Sequence, residues 1–228
     1  MFGVVPDRVA ALPALLSLRG GGFGAAGIAE RAITSYTQAL ATAPLATNAA
    51  SAACLAVFSD SVAQNLAAEA RASPFDLERS AWMAVWGALV SGVTIFYWLR
   101  WLGVLFPQAK TSAVQLLGKV FVNQIVMSPS LNAGFFAFVI WTRTPPRLAI
   151  TARKGQALLA KYRVDLLPTC LRSCLFWSVV QTINFSLLPA RFGVLFTNAA
   201  FVLWTTYLSL ISNRAAAQKD RPANGAGP

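Results

Sequence analysis

"SVVQTINFSLLPARF", Ser178 to Phe192, places two amides, Gln181 and Asn184, in a run otherwise as apolar as a membrane-crossing helix. Unpaired amides in hydrocarbon cost several kcal/mol, so each must find a partner or line water. A spacing of three puts both on one helical face, which predicts an inward-facing polar strip. The fold expected from this reading is all-α, a polytopic transmembrane bundle of four to five helices.

Composition supports that class. The chain has 228 residues, 56% hydrophobic and only 12% charged, a balance a soluble domain of this size would struggle to keep in solution. Its net charge of +11 suits loops that meet anionic headgroups, which makes membrane lipids the first expected partner. Nucleic acid is not expected, because the basic residues flank apolar runs instead of interleaving with stacking aromatics. There is no histidine, and the three cysteines, Cys54, Cys170 and Cys174, lack metal-binding spacing. No metal or cofactor is expected, and the cysteines read as small apolar packing residues.

Along the chain, residues 1–33 read as an organellar targeting segment or a disordered tail. Arg8, Arg19 and Arg31 are spread through an Ala/Leu/Gly-rich stretch, while Asp7 and Glu30 run against the targeting reading. Residues 34–212 read as the transmembrane helical domain and 213–228 as a disordered polar tail. Five apolar stretches approach the ~20 residues a span needs: Leu45 to Leu66, Ser80 to Phe106, Val120 to Trp141, Cys170 to Leu188 and Phe192 to Ile211. Only Pro189 to Arg191 separate the last two. Trp101 and Trp141 fall near span ends, where indole rings prefer the headgroup layer. The most basic loop lies between the third and fourth stretches and predicts a basic interfacial helix over Leu148 to Tyr162.

Each stretch except the fifth holds a compact polar group: Asp60 with Gln64, Ser91 with Thr94, Asn123 with Gln124, and Gln181 with Asn184. These are candidates for pore lining or for helix-to-helix hydrogen bonds, each worth roughly 0.6 to 2 kcal/mol. Asp60 is the sharpest, since an ionised carboxylate at bilayer depth costs about 3 kcal/mol or more unless paired or hydrated. Arg79 and Arg100 are its candidate partners. Gly87 and Gly92, with Ser91 between them, allow a neighbouring backbone to come close. Pro129 and Pro189 interrupt backbone bonding and predict kinks.

The order of these residues resembles the Mpv-seventeen / twenty-two-kilodalton peroxisomal membrane protein family over about Tyr36 to Ser212. The opening resembles the family pattern through Tyr36, Leu40, Pro44, Thr47, Asp60 and Gln64. The next piece matches through Asp76, Arg79, Gly87, Gly92 and Trp98, and the third through Lys119, Gln124 and Pro129. The carboxy-terminal signature is the most specific, carried by Trp177, Gln181, Asn184, Pro189, Arg191 and Trp204, with Phe185, Tyr207, Leu208 and Ser209. Val93, Phe96, Asn123 and Ser178 depart from it, standing where the family usually has Pro, His, Asp and Pro.

The resemblance implies a compact, mostly four-helix organellar membrane protein that forms a pore for small solutes and ions; in such a pore Asp60, an acid at membrane depth, is expected to favour cations. The alternative is a structural or scaffolding membrane protein without transport activity. An enzyme is not expected, because histidine, paired intramembrane carboxylates and a phosphate-cradling loop are missing. The expected location is an organellar membrane, the mitochondrial inner membrane first, with peroxisomal and plastid membranes as alternatives. Self-association into a homo-oligomer is left open.

Overall fold

The structure, a computed structural model, describes residues 25–71 and 74–204. Most of the expected targeting segment and the whole of the polar tail lie outside the described residues. The chain divides into two compact units, residues 1–47 and 48–228. The first contains helix α1, Ala25–Thr42. This helix begins inside the stretch read as targeting segment or tail, where Ala and Glu favour helix. Helix α2, Pro44–Arg71, opens with proline at its first position, where a missing N–H costs nothing.

The second unit carries most of α2 and four further helices: α3 (Leu77–Leu105), α4 (Ala113–Arg143), α5 (Ala152–Ser186) and α6 (Ala190–Trp204). Among the described residues four helices are long and apolar enough to cross a membrane, namely Pro44–Leu66 of α2 and the whole of α3, α4 and α5. No strand occurs among them. The fifth stretch is a separate helix, α6, whose described part ends at Trp204; the rest of that stretch lies outside the described residues. The turn between α5 and α6 is built on Pro189, where Phe192 N–H donates to the Pro189 carbonyl at 3.0 Å.

Asp76, Ser112 and Thr151 start α3, α4 and α5 as N-caps, each accepting from the backbone N–H three residues on. The basic interfacial helix expected over Leu148 to Tyr162 is instead the first turns of α5, which run without a break into the fourth apolar stretch. Pro168 does not break it, because a π-helical segment at Tyr162–Leu166 widens the turn just before the proline. Helix α4 uses the same device. Asn123–Met127 is π-helical, Ser128 N–H reaches back to the Asn123 carbonyl, and Pro129 follows. In α3 the π segment Gly87–Thr94 contains no proline. There the Thr94 hydroxyl donates to the Leu89 carbonyl at 3.1 Å, satisfying an acceptor in the widened turn.

Burial is inverted relative to a soluble domain. Val114 and Leu175 are each 80% exposed, as a lipid-facing surface requires, while Ser59, Asp60, Ser173 and Gln181 are inside. Cys54 and Cys174 are exposed and Cys170 is half-buried, which corrects their reading as interior packing residues. Apolar clusters join the helices. Ile95, Met127 and Val194 bring together α3, α4 and α6, while Leu102, Val120 and Phe185 bring together α3, α4 and α5. Trp86 meets Phe135 edge-on, with ring centroids 5.4 Å apart.

The α2–α3 contact depends on two glycines. A Cβ at Gly87 would lie 2.6 Å from the Ala52 carbonyl oxygen, and one at Gly92 would lie 2.5 Å from the Ala49 Cα. Both obstacles include backbone, so the helices must separate to admit a methyl group. Gly87→Ala and Gly92→Ala are each expected to destabilise the folded chain by about 1–3 kcal/mol. Gly103→Ala, where a Cβ meets nothing within 4 Å, should be neutral or slightly stabilising. Thermal unfolding in detergent micelles checks the contrast.

Candidate functional site

Helices α3 to α6 line a partly open cavity of about 230 Å³. Helix α3 contributes Trp86, Ser91 and Trp98, and α4 contributes Asn123, Ser128 and Asn132. Thr169, Trp177 and Gln181 come from α5, and Thr197, Asn198 and Trp204 from α6. None of the lining residues carries a formal charge. The π segments of α3 and α4 supply Ser91 and Asn123. Ring contacts shape the wall: Phe176 stacks on Trp204 at 5.2 Å, and Trp177 lies 6.5 Å from the same ring.

The amides on and beside this wall are tied to one another. Trp98 Nε1 donates to Asn123 Oδ1 at 2.8 Å. Asn184 Nδ2 donates to Gln181 Oε1 at 3.0 Å and to Thr197 Oγ1 at 3.2 Å, while the Thr197 hydroxyl donates to the Gly193 carbonyl at 2.8 Å. The pair read from the opening stretch therefore joins α5 to α6, with Gln181 on the cavity wall and Asn184 behind it. Gln124 does not line the cavity. Its Nε2 donates to Ser178 Oγ at 3.1 Å, and its Oε1 is buried without a partner. Ser178, one of the departures from the family pattern, thus supplies a hydrogen bond between α4 and α5.

Asp60 and Gln64 also lie outside the cavity wall, at the junction of α2 and α3. The Asp60 carboxylate accepts from Arg79 Nε at 2.7 Å, Gln64 Nε2 at 2.7 Å and Ser80 Oγ at 2.8 Å. Gln64 Oε1 accepts from the Asp76 backbone N–H at 2.7 Å, so one amide fastens both the acid and the start of α3. A carboxylate with an arginine and two further donors needs no aqueous channel. Its partner is Arg79; Arg100 lies instead over the Phe96 ring, 5.5 Å from the centroid. Asp76 extends the group outward through Arg143 Nη1 at 2.8 Å, and Arg147 pairs with Glu78.

Among the residues of the carboxy-terminal signature, Trp177 and Trp204 line the cavity, as does Trp98 from the second piece. Pro189 sets the α5–α6 turn, and Arg191 lies 5.1 Å from the centroid of the Phe192 ring. Thr197 and Asn198, both 4% exposed, give the fifth stretch a buried polar pair, which corrects its reading as free of one. Their adjacency puts them on different helical positions, so the three- and four-residue spacing that marked the other groups was missing. Among the described residues no group of three or more His, Cys, Asp or Glu forms a metal site.

Comparison with known proteins points one way. Residues 149–209 match the profile of the Mpv17 / PMP22 family. The chain is 31% identical to PXMP2/4 family protein 3 of Dictyostelium discoideum over 82% of its length and 94% of the relative's. It is 25% identical to Protein SYM1 of Gibberella zeae, covering 78% of this chain and 96% of that one. It is 26% identical to Mpv17-like protein of Xenopus laevis, covering 67% and 70%. No solved structure matches.

The Asp60 junction makes two measurable claims. The Asp60 side chain is 1% exposed and that of Arg79 is 42% exposed, so Arg79→Leu strands a buried charge, whereas Asp60→Asn leaves a cation that water still reaches. Arg79→Leu is expected to cost about 3–5 kcal/mol and Asp60→Asn about 1–3 kcal/mol. Chemical unfolding in micelles would contradict this by giving the reverse order. Asp76 titrates below its ordinary value of 3.8, chiefly because its carboxylate accepts the Arg79 backbone N–H, with Arg143 adding to the effect. A lowered folded pKa means its stabilisation is complete above 3.8 and is lost as pH falls through the folded value. Asp76→Asn, which retains an acceptor for the cap, is expected to flatten that acid limb in a pH series of unfolding midpoints.

Proposed function

The chain belongs to the Mpv17 / PMP22 family of organellar membrane proteins, and on that premise we propose that it is a pore for small uncharged solutes, contributing to the permeability of its organelle. The uncharged cavity among α3, α4, α5 and α6 is the observation that carries this reading. A solute that donates or accepts hydrogen bonds finds amide and hydroxyl partners there. An ion finds no countercharge to replace its hydration shell. Asp60, the residue expected to favour cations, is occupied by Arg79, Gln64 and Ser80 and has no part in the selectivity proposed here.

The organelle we favour is the mitochondrion, at its inner membrane, supported by the Arg-bearing amino-terminal stretch. Peroxisomal or plastid targeting is the alternative that a fluorescent fusion would reveal. The lining contains no carboxylate, lysine or cysteine, which supports a passive role over an enzymatic one. A scaffold without transport is the second reading. It is favoured by the closed hydrogen bonding of the Asp60 junction, which joins helices and reaches no cavity.

Flux through proteoliposomes separates the two. The wild-type chain is expected to release a neutral polyol faster than potassium. Leu131→Trp, which fills the cavity from α4, should cut polyol flux at least several-fold. Asp60→Asn should leave the polyol-to-potassium ratio unchanged. A folded wild-type chain that passes neither solute would favour the scaffold.

A further inference from the structure

Formal charge is sorted between the two ends of the second unit. At one end α2 meets α3 and α4 meets α5, and the described carboxylates there are engaged: Asp60 by Arg79, Asp76 by Arg143, Glu78 by Arg147 and Asp165 by Lys161. At the other end, where α3 and α5 finish and α4 and α6 begin, lie Arg100, Lys110, Lys119 and Arg191. No described carboxylate of that unit shares this end. Asp165, the acid of α5, precedes the last residue of its helix, Ser186, by about 30 Å at ~1.5 Å per residue. Three of the cations lie against rings instead, Arg100 over Phe96, Lys119 over Phe185 and Arg191 over Phe192. A ring face holds a cation in place without cancelling its charge.

Two of these cations are set side by side. Lys119 lies in the second turn of α4, and a helical side chain leans back toward the start of its helix. Its Nζ accordingly stands 4.5 Å from the centroid of the Phe185 ring, one residue before the end of α5. The turn between α3 and α4 brings Lys110 to the same place. Phe106 packs on the backbone of Gly118, where a Cβ would lie 2.9 Å from the ring. Gln108 N–H donates to Gln115 Oε1 at 2.8 Å and Ser112 N–H to the Gln108 carbonyl at 2.8 Å, so Lys110 stands on a fixed turn. It is near enough to repel Lys119, and neither lysine makes a hydrogen bond or ion pair with a described residue. We infer that Lys110 and Lys119 hold the phosphate of an anionic phospholipid at the α3–α4 turn. The phosphate supplies the countercharge that the described carboxylates do not, and lysine suits it as a point charge. The surroundings favour a lipid over a free phosphate, because Val104, Leu105, Val114, Leu117 and Leu187 are exposed at the same end and offer acyl chains an apolar surface. The site lies outside the cavity wall and takes nothing from the pore reading.

Native mass spectrometry of the full chain released from detergent micelles tests this. The probes are dioleoylphosphatidylglycerol and dioleoylphosphatidylcholine, offered in equal amounts, and inorganic phosphate added as a competitor. The wild-type chain is expected to retain the glycerol lipid several-fold more than the choline lipid, whose headgroup carries its own cation. Lys119→Gln and Lys110→Gln should each cut that preference at least several-fold. Lys119→Arg, which keeps the charge, should keep most of it, and so should Arg153→Gln, which removes an exposed cation at the opposite end. If Lys119→Gln misfolds, Lys110→Gln carries the test, because Lys110 is exposed on its turn. Millimolar inorganic phosphate should leave the lipid in place. Displacement of the lipid by phosphate would reassign the site to a free anion and overturn the inference. Equal retention of the two lipids would also overturn it, as would a preference indifferent to positions 110 and 119. A loss equally large in Arg153→Gln would reduce the effect to overall charge and overturn it too.

Discussion

A carboxylate whose side chain is 1% exposed, in a chain made for lipid, sets the conditions for everything around it. Asp60 is tolerable on α2 only because Arg79, Gln64 and Ser80 converge on it, and two of those three belong to α3. The acid therefore fixes how far along α2 the start of α3 must lie. That register brings Gly87 and Gly92 against Ala52 and Ala49, where a residue larger than glycine has no room. Removing the arginine alone would leave an uncompensated charge, so the junction stands or fails as a unit.

Once α3 is placed, widened turns determine what it presents to its neighbours. A π segment inserts extra backbone and shifts the faces on either side of it. In α3 this sets Ser91 and Trp98 on the cavity wall, and in α4 it sets Asn123 opposite Trp98, where the indole N–H meets the amide oxygen at 2.8 Å. The prolines after the π segments of α4 and α5 leave carbonyls without their usual donors, and the widened turns absorb the mismatch. The cavity is thus a consequence of backbone irregularity held in place by hydrogen bonds between helices.

Much of this was legible in the sequence. Apolar run length identified the spans, and the three- and four-residue spacings of Asp60 with Gln64 and of Gln181 with Asn184 correctly placed each pair on one face. What spacing cannot reveal is which face meets which helix. Ser80 lies twenty residues from Asp60, and Ser178 lies fifty-four from Gln124, so neither contact has a local signature. The length of α5 was missed because a proline reads as a boundary, whereas a π turn lets the helix continue through it.

Of the four departures from the resembled pattern, Asn123 is the one on the cavity wall. Where the family usually has Asp, this chain has Asn123, and the amide oxygen still accepts the Trp98 indole as a carboxylate would. The packing is kept and the charge is lost. Where the family usually has His, Phe96 packs beside Tyr97 at 5.3 Å and under Arg100, removing a titratable group from α3. The formal charges of the α2–α3 junction lie at Asp60, Arg79, Asp76 and Arg143, outside the cavity wall. With no formal charge on the wall and amides left there, the pore proposed above would discriminate by shape and hydrogen-bond polarity. In that proposed pore, an Asp in place of Asn123 would put a charge on the wall and make discrimination electrostatic.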